Sequence, residues 1–248
     1  MSVTIERPPV TPPPSEPERL GLVGWITTTN HKRIGILYIA TTLAFFIVAG
    51  IMALLMRAEL TSPGLQLLSK DAYNQLFTIH GTAMIFLFIA PMGLGLANYF
   101  VPLQVGAPDM AFPRLNALSY WLFLASGATI LLSLMAPSGA AATGWTFYVP
   151  LSGPEGSPGP GADMWIMGVL LASTSSIMTA VNLMATTFML RAPGLTMWRL
   201  PLFTWNMVIT SLMILVAFPP LAAGLSLLFF VRLLGGHFFD VSQGGSAV

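Results

Sequence analysis

Cysteine is absent from this 248-residue chain, and charged residues are scarce. Without cysteine there can be no disulfides or thiolate metal sites, so a bound metal would need histidine, methionine, carboxylate or carbonyl ligands. Only 8% of the residues are charged, against about 25% in soluble domains. With 55% hydrophobic residues and a mean hydropathy of +0.77, the composition excludes a water-soluble core and indicates a polytopic membrane protein. The net charge of +1 indicates no nucleic-acid partner.

Five uncharged stretches each exceed the roughly 20 residues that a membrane-spanning helix needs. They cover residues 34–56, 74–104, 115–136, 164–190 and 202–231. The sequence therefore predicts an all-α fold, a polytopic transmembrane bundle of five spanning helices over residues 25–248. Residues 1–24 are proline-rich and have no apolar core, so they are predicted to be a disordered cytoplasmic arm rather than a secretory signal.

The basic residues are distributed unevenly between the two ends of the predicted spans. The N-terminal side holds Arg7, Arg19, Lys32, Arg33, Arg114, Arg191 and Arg199, and the opposite side holds Arg57, Lys70 and Arg232. Because cytoplasmic loops collect lysine and arginine, the N-terminus is predicted to be cytoplasmic. A bacterial inner membrane is expected, with the mitochondrial inner membrane as the less favoured location.

His80 is the only histidine inside a predicted span, and no Asp, Glu, Lys or Arg lies between Asp71 and Asp109. Lipid offers an imidazole no partner, so the ring needs a hydrogen bond, a proton or a metal. Haem iron suits a lone histidine because the macrocycle itself supplies four ligands. A neutral histidine bonded to a neighbouring helix explains the composition equally well. His31 and His237 lie outside the spans on opposite sides, so a second axial ligand must come from another polypeptide.

Polar residues recur at helical spacing in the third and fourth spans, which places each set on one helix face. The third span carries Asn116, Ser119, Ser126 and Ser133, and the fourth carries Ser175, Thr179, Asn182 and Thr186. Such hydroxyls often only bond the carbonyl four residues back or join two helices. Two stripes together with Asp109 in the inner turn favour a water-filled proton path.

Six segments, in order along the chain, resemble subunit I of haem-copper cytochrome c oxidases. They are residues 29–35 (TNHKRIG), 56–60 (MRAEL), 74–86 (NQLFTIHGTAMIF), 105–116 (VGAPDMAFPRLN), 144–148 (GWTFY) and 238–240 (FFD). The resemblance implies that His80 is one axial ligand of a low-spin haem, with haem a expected. It also implies that Arg57 binds the formyl group of that haem and that Trp145 binds a haem propionate. From the residues alone, Arg57 and Trp145 are equally well explained as interfacial anchors.

The same resemblance assigns a proton pathway. Asp109 would be its cytoplasmic entrance, with Asn98 and Asn116 just inside and Ser175, Ser176 and Asn182 higher up. The residues alone also allow Asp109 to be a cap that accepts hydrogen bonds from nearby amides.

A peripheral cation site is also implied by the resemblance. Glu59 and Gly64 resemble ligands of a calcium or sodium ion near the outer surface. Pairing of Glu59 with Arg57 or Lys70 is the simpler account of that carboxylate.

The function that the resemblance implies is that of a terminal respiratory oxidase, which reduces oxygen to water with electrons from cytochrome c and pumps protons. Family members continue with further helices that carry the copper and high-spin haem ligands, so this chain is expected to be the N-terminal part of subunit I and not catalytic alone. Its expected partners are a polypeptide with the remaining helices, oxidase subunits II and III, cytochrome c and the lipid membrane. The alternatives are a quinol oxidase subunit I fragment and a non-catalytic haem-binding or scaffold membrane protein.

Overall fold

A computed structural model describes residues 21–246 of the chain, and all regular secondary structure in that range is helical. The predicted N-terminal arm lies outside the described residues except for its last four. The short helix α1 (Leu22–Ile26) begins within those four residues, and the domain boundary at residue 24 stays a prediction.

The described residues contain five stretches of helix that are long and apolar enough to cross a membrane, which confirms the predicted fold class. The first is α2 (His31–Glu59), and the second runs from Lys70 to Val105. The second is built from α3 (Lys70–Thr82), a π-helical segment (Ala83–Ile89) and α4 (Ala90–Val105). The others are α5 (Pro113–Leu132), α6 (Pro160–Met189) and α7 (Leu202–Leu234), and short 3₁₀ turns cover Ser133–Met135, Met197–Arg199 and Val241–Gln243.

Local sequence explains where these helices begin and end. The Asn30 side chain accepts hydrogen bonds from the Lys32 and Arg33 amides and so caps α2. Proline occupies the first position of both α5 and α6, where no amide hydrogen is needed. Gly106 ends α4 with a φ of 73°, a left-handed conformation that favours glycine.

The packing places α6 at the centre of the bundle. It contacts α4, α5 and α7, while α2 packs against α5 and both halves of the second span. In contrast, α7 and the outer face of α2 expose many apolar side chains; among these are Leu43, Ile47, Leu54, Leu212, Met213 and Val216. Surface of this kind suits hydrocarbon or further protein helices and not water.

Candidate haem and proton site

His80 lies in the last turn of α3, three residues before the π-helical segment begins at Ala83. Its Nδ1 is 2.9 Å from the carbonyl oxygen of Ala49 in α2. A carbonyl can only accept, so Nδ1 carries the hydrogen and the neutral ring has its lone pair on Nε2. Within residues 21–246, Nε2 has no hydrogen-bond partner, and the ring is half-buried. The helix-to-helix hydrogen bond and metal ligation are thus compatible, and ligating histidines commonly donate their other N–H to a carbonyl.

The loop between α5 and α6 covers the turn that carries His80. A Cβ atom built on Gly81 would lie 3.1 Å from Cδ1 of Trp145, so the indole packs directly on this glycine. The amide of the preceding Gly144 donates to Oγ1 of Thr78 at 2.9 Å. Trp145 therefore packs on the turn that carries His80, and two-fifths of its surface stays exposed.

Arg57 is exposed near the end of α2, eight residues beyond Ala49 and so about 12 Å further along the helix. Its guanidinium makes no hydrogen bond or ion pair with any residue in the described part of the chain. At this position Arg57 can serve as an interfacial anchor, and it can equally donate hydrogen bonds to a polar group of a bound ligand.

The Glu59 carboxylate organises the loop after α2. Its Oε1 accepts from the Gln66 amide at 2.9 Å, and its Oε2 accepts from the Leu67 and Leu68 amides at 2.7 and 2.9 Å. No ion pair of Glu59 with Arg57 or Lys70 is present among the described residues. Between residues 21 and 246 there is also no group of three His, Cys, Asp or Glu side chains that could hold a metal ion. The assignment of Glu59 and Gly64 as ligands of a calcium or sodium ion stays a prediction.

Asp109 connects the inner ends of α2 and α4. One carboxylate oxygen accepts from the amides of His31, at 3.2 Å, and Met110, at 2.7 Å. His31 in turn donates from Nδ1 to the carbonyl of Asn98 at 2.9 Å. Burial raises the pKa of the Asp109 carboxyl, although both amides and the nearby His31 act in the opposite direction. Asp109 therefore accepts hydrogen bonds from nearby amides, the role that the residues alone allowed. Its raised pKa means that the carboxyl retains its proton to a higher pH than usual.

Asn98 and Asn116 are completely buried just beyond Asp109. Asn98 donates from Nδ2 to the carbonyl of Leu94 at 3.1 Å, but its Oδ1 has no partner among the described residues. Both polar side-chain atoms of Asn116 lack a protein partner within the same range. Buried amides in this condition normally bind ordered water.

The residues of the two polar stripes are all buried. They meet where Ser175 Oγ donates to the Ser119 carbonyl at 2.7 Å. The hydroxyl of Tyr38 lies 3.2 Å from the hydroxyls of both serines. Tyr38 was missed by the sequence analysis, although its position as the single tyrosine of the first span was a usable signal. Ser176 is buried next to Ser175, and the described residues offer its hydroxyl no hydrogen bond.

Asn182 and Thr186 hold the inner turn. Asn182 accepts from the amide of Phe112 at 2.9 Å and donates to its carbonyl at 3.0 Å. Thr186 Oγ1 accepts from the Ala111 amide at 2.9 Å. Asn182 thus holds the turn that follows Asp109, and its predicted place in the proton path stays a prediction.

The Arg232 side chain forms hydrogen bonds to the outer loop. The sequence analysis did not predict this role of Arg232. Its Nε donates to Asp163 at 2.5 Å, and its other nitrogens donate to the carbonyls of Ser152, Gly153 and Gly159 at 2.8, 3.0 and 3.1 Å. The Arg232 side chain is only 3% exposed. One residue near the end of α7 therefore joins the first turn of α6 to the loop whose beginning covers His80.

The chain matches the family Cytochrome C and Quinol oxidase polypeptide I over residues 33–248. The chain belongs to this family. Among curated relatives, the putative cytochrome c oxidase subunit 1-beta of Streptomyces avermitilis is 54% identical over 231 residues, which cover 93% of this chain and 41% of the relative. Cytochrome c oxidase subunit 1 of Corynebacterium efficiens is 49% identical over 240 residues, covering 96% of this chain and 41% of the relative.

Membership of the oxidase subunit I family confirms the resemblance and agrees with the five-helix membrane fold. The chain spans about two-fifths of the length of the curated relatives it matches. The family's description includes both cytochrome c and quinol oxidases, so membership leaves the two donors open. The roles of individual residues depend on the geometry described above.

Proposed function

We propose that this chain is the N-terminal part of subunit I of a terminal respiratory oxidase, which reduces oxygen to water and pumps protons. The observation that carries the proposal is the state of His80, whose Nδ1 donates to the Ala49 carbonyl and whose Nε2 is free among the described residues. That arrangement presents a basic nitrogen in a fixed direction from a spanning helix.

His80 would give one axial ligand to a low-spin haem, with haem a expected, while Arg57 and Trp145 would bind its periphery. When bound, the haem would supply one-electron transfer. The second axial ligand, the copper and the high-spin haem would belong to the completed complex, which includes a polypeptide with the remaining helices and oxidase subunits II and III.

Cytochrome c is the proposed electron donor, in keeping with the names of the relatives. A quinol donor is the second candidate, because the family's description includes quinol oxidases. Turnover of the purified complex with each donor in turn distinguishes the two.

Proton uptake would begin at Asp109, whose raised pKa lets it hold a proton taken from water at the inner surface. The orphaned amide atoms of Asn98 and Asn116 would bind the first ordered waters. Beyond them, Ser175, Ser176 and the hydroxyl of Tyr38 would continue the chain of hydrogen-bonding groups. Asn182 would support this path by holding the inner turn.

The chain is proposed to lie in a bacterial inner membrane with its N-terminus in the cytoplasm, because most basic residues lie at that side. Asp109 would then face the compartment from which protons are taken.

The haem role is tested by purifying the chain from membranes with the polypeptides that accompany it and recording reduced-minus-oxidised spectra. We expect His80→Ala to lose the low-spin haem signal. The control is His237→Ala, because that exposed ring lies outside the spans, with its Nδ1 3.7 Å from the carboxylate of Asp240. A low-spin haem signal that survives His80→Ala would refute the proposed ligand.

A further inference from the structure

Two threonines flank His80 on α3 and lie on a different face of the helix. Thr78 and Thr82 are four residues apart, and both are completely buried. His80 is two residues from each and therefore about 200° around the helix axis from them. Each threonine hydroxyl donates to the carbonyl four residues back, at 2.8 Å for Thr78 and 2.7 Å for Thr82. Their remaining acceptor positions are available to groups outside α3.

Each of these threonines accepts one hydrogen bond from another part of the chain. Thr78 accepts from the Gly144 amide at 2.9 Å, and Thr82 accepts from Nε1 of Trp165 in α6 at 2.7 Å. The Trp165 ring is itself fixed, because it is buried and stacks on Phe147 with ring centres 4.1 Å apart and planes inclined by 8°. The indole N–H is therefore a rigid anchor for Thr82.

The anchored residue lies at the junction where α3 passes into the π-helical segment Ala83–Ile89. A change between the two helical registers rotates the side chains around the helix axis. On the imidazole side, the turn is held through His80 and the Ala49 carbonyl of α2. On the threonine side, it is held through Trp165 of α6. The turn that carries His80 is thus fixed from two directions.

We infer that Trp165 and Thr82 are positioning residues for His80, because their hydrogen bond fixes the rotation of α3 and with it the direction of the Nε2 lone pair. The inference rests on the proposed haem role of His80. A bond that only satisfied a buried indole would contribute to stability but would leave the ligand field of the iron unchanged.

The test uses the complex purified with its accompanying polypeptides. Trp165→Phe removes the N–H and keeps an aromatic ring against Phe147, and Thr82→Val removes the hydroxyl at similar volume. Thr82→Ser keeps the hydroxyl and is the matched rescue. Trp198→Phe is the control for loss of an indole, since Trp198 is 92% exposed. Haem content, the electron paramagnetic resonance g values of the low-spin haem and its midpoint potential are measured for each variant.

We expect Trp165→Phe and Thr82→Val to keep the haem but to shift its g values and midpoint potential, with Thr82→Ser and Trp198→Phe at the parental values. Unchanged g values and potential in the first two variants would overturn the inference. So would a failure of both to assemble while Thr82→Ser assembles, since the bond would then serve stability alone. If His80→Ala retains the low-spin signal, the proposed function fails. If His80→Ala loses that signal but Trp165→Phe and Thr82→Val keep the parental g values and midpoint potential, this inference alone fails.

Discussion

A single carboxyl group at the inner surface serves both the architecture and the proposed chemistry. Asp109 accepts the His31 and Met110 amides and so ties the start of α2 to the inner turn. It is also buried enough for its charged form to be disfavoured. The first property needs an oxygen acceptor, which asparagine also provides, whereas the second needs a group that can exchange a proton. Substitution can therefore separate the two.

We expect the Asp109 carboxyl to remain protonated to a higher pH than an ordinary aspartate, because its pKa is raised by burial. By linkage, its contribution to folding is fully present below the ordinary pKa and is lost as the pH rises through the raised one. Infrared difference spectra of the complex against pH should show a protonated-carboxyl band that Asp109→Asn removes, together with slower proton uptake and an intact haem spectrum. Asp71→Asn, which alters an exposed acid, is the control. A band that titrates at or below the usual aspartate pKa would contradict the expectation.

Individual residues differed in how far the sequence could predict them. The buried stripes followed from spacing, because period 3.6 places every third or fourth residue on one face. Tyr38 and Arg232 did not, because each acquires its role from partners more than 60 positions away in the chain. The three loop amides that donate to the Glu59 carboxylate were not predicted, because nothing in the spacing of the sequence indicated them.

At the scale of the helices, glycine decides how closely α4 approaches α2. A Cβ atom on Gly95 would lie 2.7 Å from Cβ of Tyr38, whereas one on Gly93 would meet no atom of the described residues within 4 Å. Both glycines lie in α4, so the pair isolates helix contact from helix propensity. The contact also matters for the polar path, because Tyr38 reaches Ser119 and Ser175 from this position.

We expect Gly95→Ala to destabilise the protein by about 1–3 kcal/mol, the usual cost of overpacking. Gly93→Ala should change stability by less than about 0.5 kcal/mol, as is typical of sites away from such contacts. Denaturant unfolding of the purified protein in detergent measures both. Equal losses of stability in the two variants would show that α4 and α2 do not pack as described.

At the scale of the whole molecule, the helices are packed around α6 on one side of the bundle, whereas the outer side of α7 is not covered by other described residues. The central α6 packs against α4, α5 and α7, while α7 leaves about half of its apolar residues exposed within the described range. Three buried serine hydroxyls, those of Ser126, Ser152 and Ser211, have no partner among residues 21–246. The exposed apolar surface of α7 suits contact with lipid or with the further helices of the proposed complex.

The absence of cysteine permits a direct test of orientation. We expect Ser62→Cys, in the exposed loop after α2, to react with a membrane-impermeant maleimide in intact cells. Thr196→Cys, in the exposed loop between α6 and α7, should react only after permeabilisation, because the basic residues predict a cytoplasmic location for that loop. The unsubstituted chain is the control for background labelling. The reverse pattern would invert the proposed topology.

The sequence alone determined that this chain crosses a membrane five times, because apolar length and the scarcity of charge are local properties that a bilayer reads directly. It also indicated His80 and Asp109 as candidate functional residues, because ionisable groups are rare in this composition. The tertiary structure decided which partners they have. The Ala49 carbonyl accepts the hydrogen bond from Nδ1 of His80, which leaves the lone pair on Nε2. The Trp165 indole donates to Thr82, and the Arg232 guanidinium joins the outer loop to α6. These pairs lie far apart in the chain, and only packing of the helices brings them within hydrogen-bonding distance.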